Sequence, residues 1–225
     1  MNLPELLPSE LVRNSDAAPI FRSLKYRNFS FTFVEDPAFR IPFPKRVGLR
    51  FALLLPKRMQ LSTAVNRALR HERCKHVTSC SGRCAAFALG MSRKEHGAVV
   101  WYLLTLQSDL AFSPRAALRD YLRGWRKVLF GCIKAYATSR SIDVIRLSPA
   151  GEVFRAAVFR NRSVPGRIPP VWEAIYDGTA REFGMVRTEI EDPLNIQVLP
   201  RRRPCFSKEF FELRLKGTQP MKEKR

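Results

Sequence analysis

The sequence predicts an α/β fold in which a mixed, mostly antiparallel central sheet is flanked by helices. Three features carry that expectation. Short segments with the two-residue alternation of strands recur along the chain, other segments show the 3.6-residue spacing of amphipathic helices, and the two kinds are interspersed. The 225 residues are 45% hydrophobic and 27% charged, the composition of a folded chain with one sizeable core. The organisation read from this is a loose N-terminal arm over 1–23, a single α/β domain over 24–200, and a partly ordered basic tail over 201–225.

In order along the chain, Pro4, Pro8 and Pro19 punctuate an arm with little periodicity. Residues 28–34 alternate aromatic and polar side chains, as a half-buried strand does. Residues 47–55 form a second strand closed by Pro56. A short helix follows over 62–72, capped by Ser62 or Thr63, with Val65, Ala68 and Leu69 on one side. Beyond a loop rich in Cys and His, residues 84–91 and 97–110 are two adjacent strands, with 92–96 as the hairpin connection. Both faces of the second carry apolar side chains, which suits a central position.

Ser113-Pro114 is a helix start, a capping hydroxyl followed by proline at the first helical position. From there to about 138, Leu118, Leu122, Trp125, Leu129, Ile133 and Tyr136 share one arc. Arg115, Arg119, Arg123, Arg126, Lys127 and Lys134 fill an adjacent arc. Gly124 inside this span is a candidate break. Residues 141–147 and 152–159 read as strands, 171–183 as a helix opened by Pro169-Pro170 and stopped by Gly184, and 186–190 and 195–199 as final strands.

The charge is uneven. Forty Lys and Arg against twenty Asp and Glu give +20, and residues 37–96 alone carry thirteen basic against two acidic side chains. Twenty-nine of the forty are arginine, whose planar fork suits phosphate. A phosphate-bearing partner is therefore expected: a nucleotide cofactor, RNA or another polyanion. The apolar runs are strand-sized, well short of the roughly 20 residues of a spanning helix, so no membrane span is expected. Five cysteines, an odd number, and no visible secretory signal suggest free thiols and a cytoplasmic setting.

Over about residues 60–200 the element order resembles that of the GNAT (N-acetyltransferase) superfamily. Leu103-Leu104-Thr105-Leu106-Gln107-Ser108 is similar to that family's central strand, whose backbone receives the pantetheine arm of acyl-CoA. Arg123-Gly124-Trp125-Arg126-Lys127 is similar to its pyrophosphate turn, with Arg126 at the second glycine position. Tyr176 to Met185 is similar to the family's penultimate helix. There a tyrosine protonates the departing thiolate, and Tyr176 lies about one turn before the place it usually takes, which Ala180 holds. The resemblance implies transfer of an acyl group from a thioester to an amine, with acetyl-CoA or another acyl-CoA as donor. It implies Tyr176 as the acid, Leu106, Gln107 and Ser108 along the thioester arm, and Arg119, Arg123, Gly124, Arg126 and Lys127 around the phosphates.

Two other constellations compete. All three histidines and three cysteines lie within 71–96, but Cys74, Cys80 and Cys84 lack the paired short spacing of a zinc knuckle, so zinc is not expected. Arg73, Lys75 and Arg83 beside these thiols could instead favour a reactive thiolate. The alternative function is a non-catalytic RNA-binding protein. Its basis is the basic stretch 37–96 interleaved with Phe39, Phe43, Phe51 and Phe87, which could combine phosphate contacts with base stacking. No nucleophile elbow, metalloprotease helix or Walker glycine loop is present.

Overall fold

The computed structural model describes residues 5–6, 28–36, 48–70, 84–108, 110–160, 166–195 and 206–215. The expected α/β architecture is present. The strands are β1 (Glu5–Leu6), β2 (Ser30–Asp36), β3 (Gly48–Leu54), β4 (Cys84–Glu95), β5 (Ala98–Gln107), β6 (Val144–Leu147), β7 (Val186–Asn195) and β8 (Phe206–Arg214). The helices are α1 (Thr63–Arg70), α2 (Ala116–Tyr121), α3 (Trp125–Ser139), α4 (Ala150–Arg160) and α5 (Pro170–Glu182). One sheet holds all these strands in the order β1-β2-β3-β4-β5-β6-β8-β7. Every pairing is antiparallel except β5 with β6, the one parallel pair.

Side chains of alternate parity sort to the two faces. Trp101 and Leu103 join Phe31, Phe51 and Leu53 against Leu129 and Ile133 of α3 and Ile175, Tyr176 and Ala180 of α5. Val100, Tyr102 and Leu104 instead join Met91, Val144, Ile190, Leu194 and Phe210. This double coverage is what the unbroken apolar run of β5 requires. An aromatic group of Phe33, Phe51, Trp101 and Tyr136 lies at the heart of the first face, with centroids 5.0 to 6.3 Å apart. Such pairs add about 0.5–1.5 kcal/mol each beyond their buried area.

Several local expectations need correction. Residues 152–159 are not a strand. They belong to α4, because Ala150, Val153 and Ala156 meet the core at helical spacing. The span 114–138 is, in agreement with the candidate break, two helices, α2 and α3, divided at Gly124. Ser92–Glu95 extend β4, so the hairpin is the two-residue turn His96-Gly97, both with positive φ. Strand β5 stops at Gln107, and Leu110–Phe112 form a 3-10 turn. Val186–Asn195 form one strand, β7, with an irregularity between Glu189 and Leu194, while residues 196–199 of the expected last strand lie outside the described residues.

The tail enters the sheet. Strand β8 lies between β6 and β7 and buries Phe210 completely, so the sheet draws on residues well beyond 200. Within the arm, Glu5 and Leu6 pair with Thr32 and Phe31. The His71–Cys80 part of the Cys/His cluster, Phe39 and Phe43 lie outside the described residues. Among the described residues, no helix is long and apolar enough to cross a membrane.

The β4–β5 register slips by one at Gly90. Leu89 faces Thr105 and Gly90 faces Leu103, leaving Leu104 as the extra residue of a bulge. The Tyr102 carbonyl sits where a Cβ on Gly90 would stand, only 2.1 Å away. Gly90→Ala is therefore expected to destabilise by about 3 kcal/mol, the upper range for overpacking. In a chain of this size that lowers the melting temperature by roughly 6–12 °C. A thermal melt within 2 °C or so of wild type would contradict the close approach.

Candidate active site at the fork of the sheet

Strands β5 and β6 run side by side only from Val100 and Val144 to Leu103 and Leu147. The last bond between them is from the Ser148 N–H to the Leu103 carbonyl, 3.0 Å. There β6 ends, because Pro149 has no N–H to extend a ladder and accepts the first bonds of α4. Strand β5 continues through Leu104, Thr105, Leu106 and Gln107, the last three paired with β4. On the flank facing β6 the sheet thus divides.

Helix α5 packs against this fork. The Tyr176 ring is 4% exposed, and the Leu106 N–H donates to its hydroxyl at 3.2 Å. The phenol and the strand amide, placed separately in the resemblance, are therefore brought together. Across the fork lies Ser148, 1% exposed, whose Oγ has no hydrogen-bond partner among the described residues. A buried hydroxyl without a partner costs about 1–3 kcal/mol, so its persistence calls for a reason. The Asp177 carboxylate accepts from the Ala150 N–H at 2.9 Å, tying α5 to the first turn of α4.

Ser108 plays a different part. Its Oγ donates to the Ala85 carbonyl at 2.5 Å and accepts from the Ala111 N–H at 3.1 Å, fully buried. It pins the end of β5 to β4 and to the 3-10 turn, which places Gln107 beside the fork and leaves Ser108 behind it.

The expected phosphate residues divide similarly. Gly124 holds φ +85° immediately before α3, a conformation L side chains avoid, so a glycine does open this helix. Arg126 does not face a solvent-filled turn. Its guanidinium lies across α5, bonded to the Ala174 carbonyl and, at 2.7 Å, to Glu182. It crosses where Gly178 has no side chain, since a Cβ there would meet Nη1 at 2.4 Å. Lys127 also reaches Glu182, at 3.0 Å. Arg119 donates to the carbonyls of Ser113 and Pro114. Arg123 pairs with Asp120 on the open surface. The basic arc is thus mostly a set of struts, and the α3–α5 strut holds Tyr176 in place.

A second polar cluster lies on the opposite face, and sequence reasoning missed it. The Arg146 guanidinium bonds to Glu95 at 2.6 Å and to Glu212 at 2.8–2.9 Å, and stands 5.3 Å from the Tyr102 ring centre. Tyr102 donates to Glu95 at 2.5 Å, and Arg93 joins Glu95 to Asp192. Burial, reinforced by the bond to Glu95, pushes the Tyr102 phenol well above its ordinary value. The signal available in the sequence was one charged residue, Arg146, amid the apolar strand Val-Ile-Arg-Leu. With its charges matched, the cluster ties β4, β5, β6 and β8 together.

The described thiols, Cys84 and Cys132, are buried, the first donating to the Ala86 carbonyl, and burial pushes the Cys132 thiol up, away from reactivity. Among the described residues, no group of three or more His, Cys, Asp or Glu could hold a metal ion. No protein-family model and no curated protein matches this chain.

The Arg146 cluster has a titration signature. Burial pushes the Glu212 carboxyl up, but hydrogen bonds from Arg214 and Arg146, with their charges, outweigh it and hold it below 4.5. A lowered folded value stabilises above the unfolded value, and this contribution is lost as pH falls through the folded one. Glu212→Gln is expected to lower the melting temperature at pH 7, with the gap closing as pH falls below about 4.5. Melts from pH 7 to pH 3 check this; a gap constant across that range would contradict it.

Proposed function

We propose that this chain is an acyl-CoA-dependent N-acyltransferase of GNAT-like construction, transferring an acyl group from a thioester to an amine. The single observation that carries this reading is the fork, with the Leu106 N–H and the Tyr176 hydroxyl on one side and the partnerless Ser148 Oγ on the other. A polar arm with amide groups fits that donor set, since Ser148 Oγ can donate to a carbonyl and Gln107 borders the same strand end. The strand order, in which β6 is flanked by β5 in parallel and β8 in antiparallel, is of the kind the resemblance implies.

Bound acyl-CoA would supply an activated acyl group. The chain's own residues would do the rest. The Leu106 N–H, which donates to the Tyr176 hydroxyl, would be exchanged onto an oxygen gaining negative charge as the phenol turns toward the leaving group. The Tyr176 Oη carries the proton that a leaving sulfur requires. Gly124 and the first turn of α3, with Arg119 and Arg123 nearby, would favour phosphate. Arg126 and Lys127, held by Glu182, would contribute by fixing α5 against α3. A cytoplasmic setting suits the odd number of cysteines.

The alternative reading, a non-catalytic RNA-binding protein, draws on the cationic surface around Arg58 rather than on the fork. Acetyl-CoA at ~100 times its dissociation constant should add about 2.7 kcal/mol of stability. At this chain length the melt rises by roughly 5–10 °C. Tyr176→Phe should keep most of that shift while lowering turnover about 100-fold in an assay with amine acceptors. Absence of any shift at millimolar acetyl-CoA would remove the acyltransferase reading.

A further inference from the structure

The described arginines fall into two populations. Those on α3, β4, β6 and β7 that face the core or a neighbouring element are tied to carboxylates, as Arg126, Arg146, Arg93 and Arg187 show. Arg58, Arg67 and Arg70 are different. They line one recess of about 490 Å³ together with Met59, Thr63 and Asn66, and no acidic side chain is among these residues. Among the described residues, none of the three guanidiniums forms an ion pair or a hydrogen bond.

The local fold explains how they converge. Helix α1 buries Val65 and Ala68 against Leu61 and Leu118 of α2. That contact turns Arg67 and Arg70, three residues apart and so neighbours on a helix, to the outside. Ser62 Oγ accepts from the Val65 N–H at 3.3 Å and opens the helix. Asn66 Nδ2 donates to the carbonyls of Arg58 at 2.8 Å and Leu61 at 3.1 Å, which folds the 3-10 turn carrying Arg58 back over α1. Arginines in the last turn of a helix complement its dipole, which accounts for Arg67 and Arg70. It does not account for Arg58, outside the helix on the rim of the same recess.

We propose that this recess is a docking site for the phosphodiester backbone of a single-stranded nucleic acid, separate from the fork. Three guanidiniums around one concavity repel each other unless an anion lies between them, and each offers the planar fork that phosphate oxygens accept. The recess lies in the size range of a nucleotide-sized ligand. Its concave shape favours a threaded strand over a flat lipid surface. Met59, 86% exposed on the rim, offers apolar area to a base. The net charge of +20 would bring a polyanion to this face.

The test uses the full chain and two fluorescein-labelled 20-mers, oligo(U) RNA and oligo(dT), in anisotropy titrations from 50 to 300 mM KCl. Removing three phosphate contacts from a single strand should flatten the log–log salt slope by about 2 and weaken binding at low salt at least ~10-fold. These are the expectations for R58Q/R67Q/R70Q. A charge-matched control, R181Q/R187Q/K208Q, should stay within about threefold of wild type, as general charge loss alone predicts. Single variants R58Q and R67Q should each lower the slope by about 0.7, which keeps the proposal testable should the triple variant melt early. Equal loss in the triple variant and the control would overturn the site, as would wild-type affinity in the triple variant. No binding of either oligonucleotide, or binding only to phosphatidylglycerol vesicles, would also overturn it. An acetyl-CoA thermal shift in R58Q/R67Q/R70Q reports on the fork independently, so failure of one proposal is distinguishable from failure of the other.

Discussion

The parting of β5 from β6 is the constraint on which the rest of the structure depends. It has two causes that act at the same level of the sheet. Strand β6 is short because Pro149 cannot donate and the chain turns into α4 there. Strand β5 is bent at the same height because Leu104 is an extra residue opposite Gly90, and bulges add local twist. Either cause alone would leave a ragged edge. Together they leave a length of backbone, Leu104 to Gln107, with one flank on β4 and the other turned toward a helix. The amide at Leu106 then needs an acceptor, and Tyr176 provides it from α5.

Helix α5 can reach that position only if it is held at a second point. Six residues beyond Tyr176, about 9 Å along the axis, Glu182 takes the charges of Arg126 and Lys127 from the first turn of α3. These side chains are partly exposed, so the attraction is screened and worth little as an isolated pair. Its effect is positional. Arg126 also donates to the Ala174 carbonyl and occupies the space above Gly178, so the two helices approach with a guanidinium between them. The basic arc on α3 thus serves the fork indirectly, through the placement of the phenol.

This explains what the sequence reveals and what it conceals. The strands β2 to β5 and helices α1 and α5 were legible because alternation, caps and proline positions are local signals. Helix α4 was not. Val153, Phe154, Val158 and Phe159 have strand propensity, and packing of Ala150 and Ala156 overrode it. Ser148-Pro149, like Ser113-Pro114, sets a proline shortly before a helix, although neither serine hydroxyl caps it. Strand β8 was hidden because a tail so rich in Lys and Arg resembles a solvated segment, while its burial depends on β6 and β7. The arginine arc showed its spacing but not its partners, since Glu182 lies 56 residues from Arg126. The meeting of Tyr176 with Leu106 and the orphan Ser148 hydroxyl are products of topology, and no local pattern announces them.

The two faces of the sheet solve the same problem in opposite ways. On the face of Tyr102, every charge at the centre is answered by another, Arg146 by Glu95 and Glu212, and the phenol of Tyr102 is held between them. Removing one partner there would leave a desolvated charge, so that arrangement is rigid and poorly suited to take up a ligand. At the fork the polar groups are neutral, namely a phenol, a backbone amide and a serine hydroxyl. Neutral donors cost less to bury, yet they interact strongly with charge that develops nearby in a medium of low dielectric constant. A reaction that generates negative charge on an oxygen and then on a sulfur is therefore better served at the fork than at the ionised cluster.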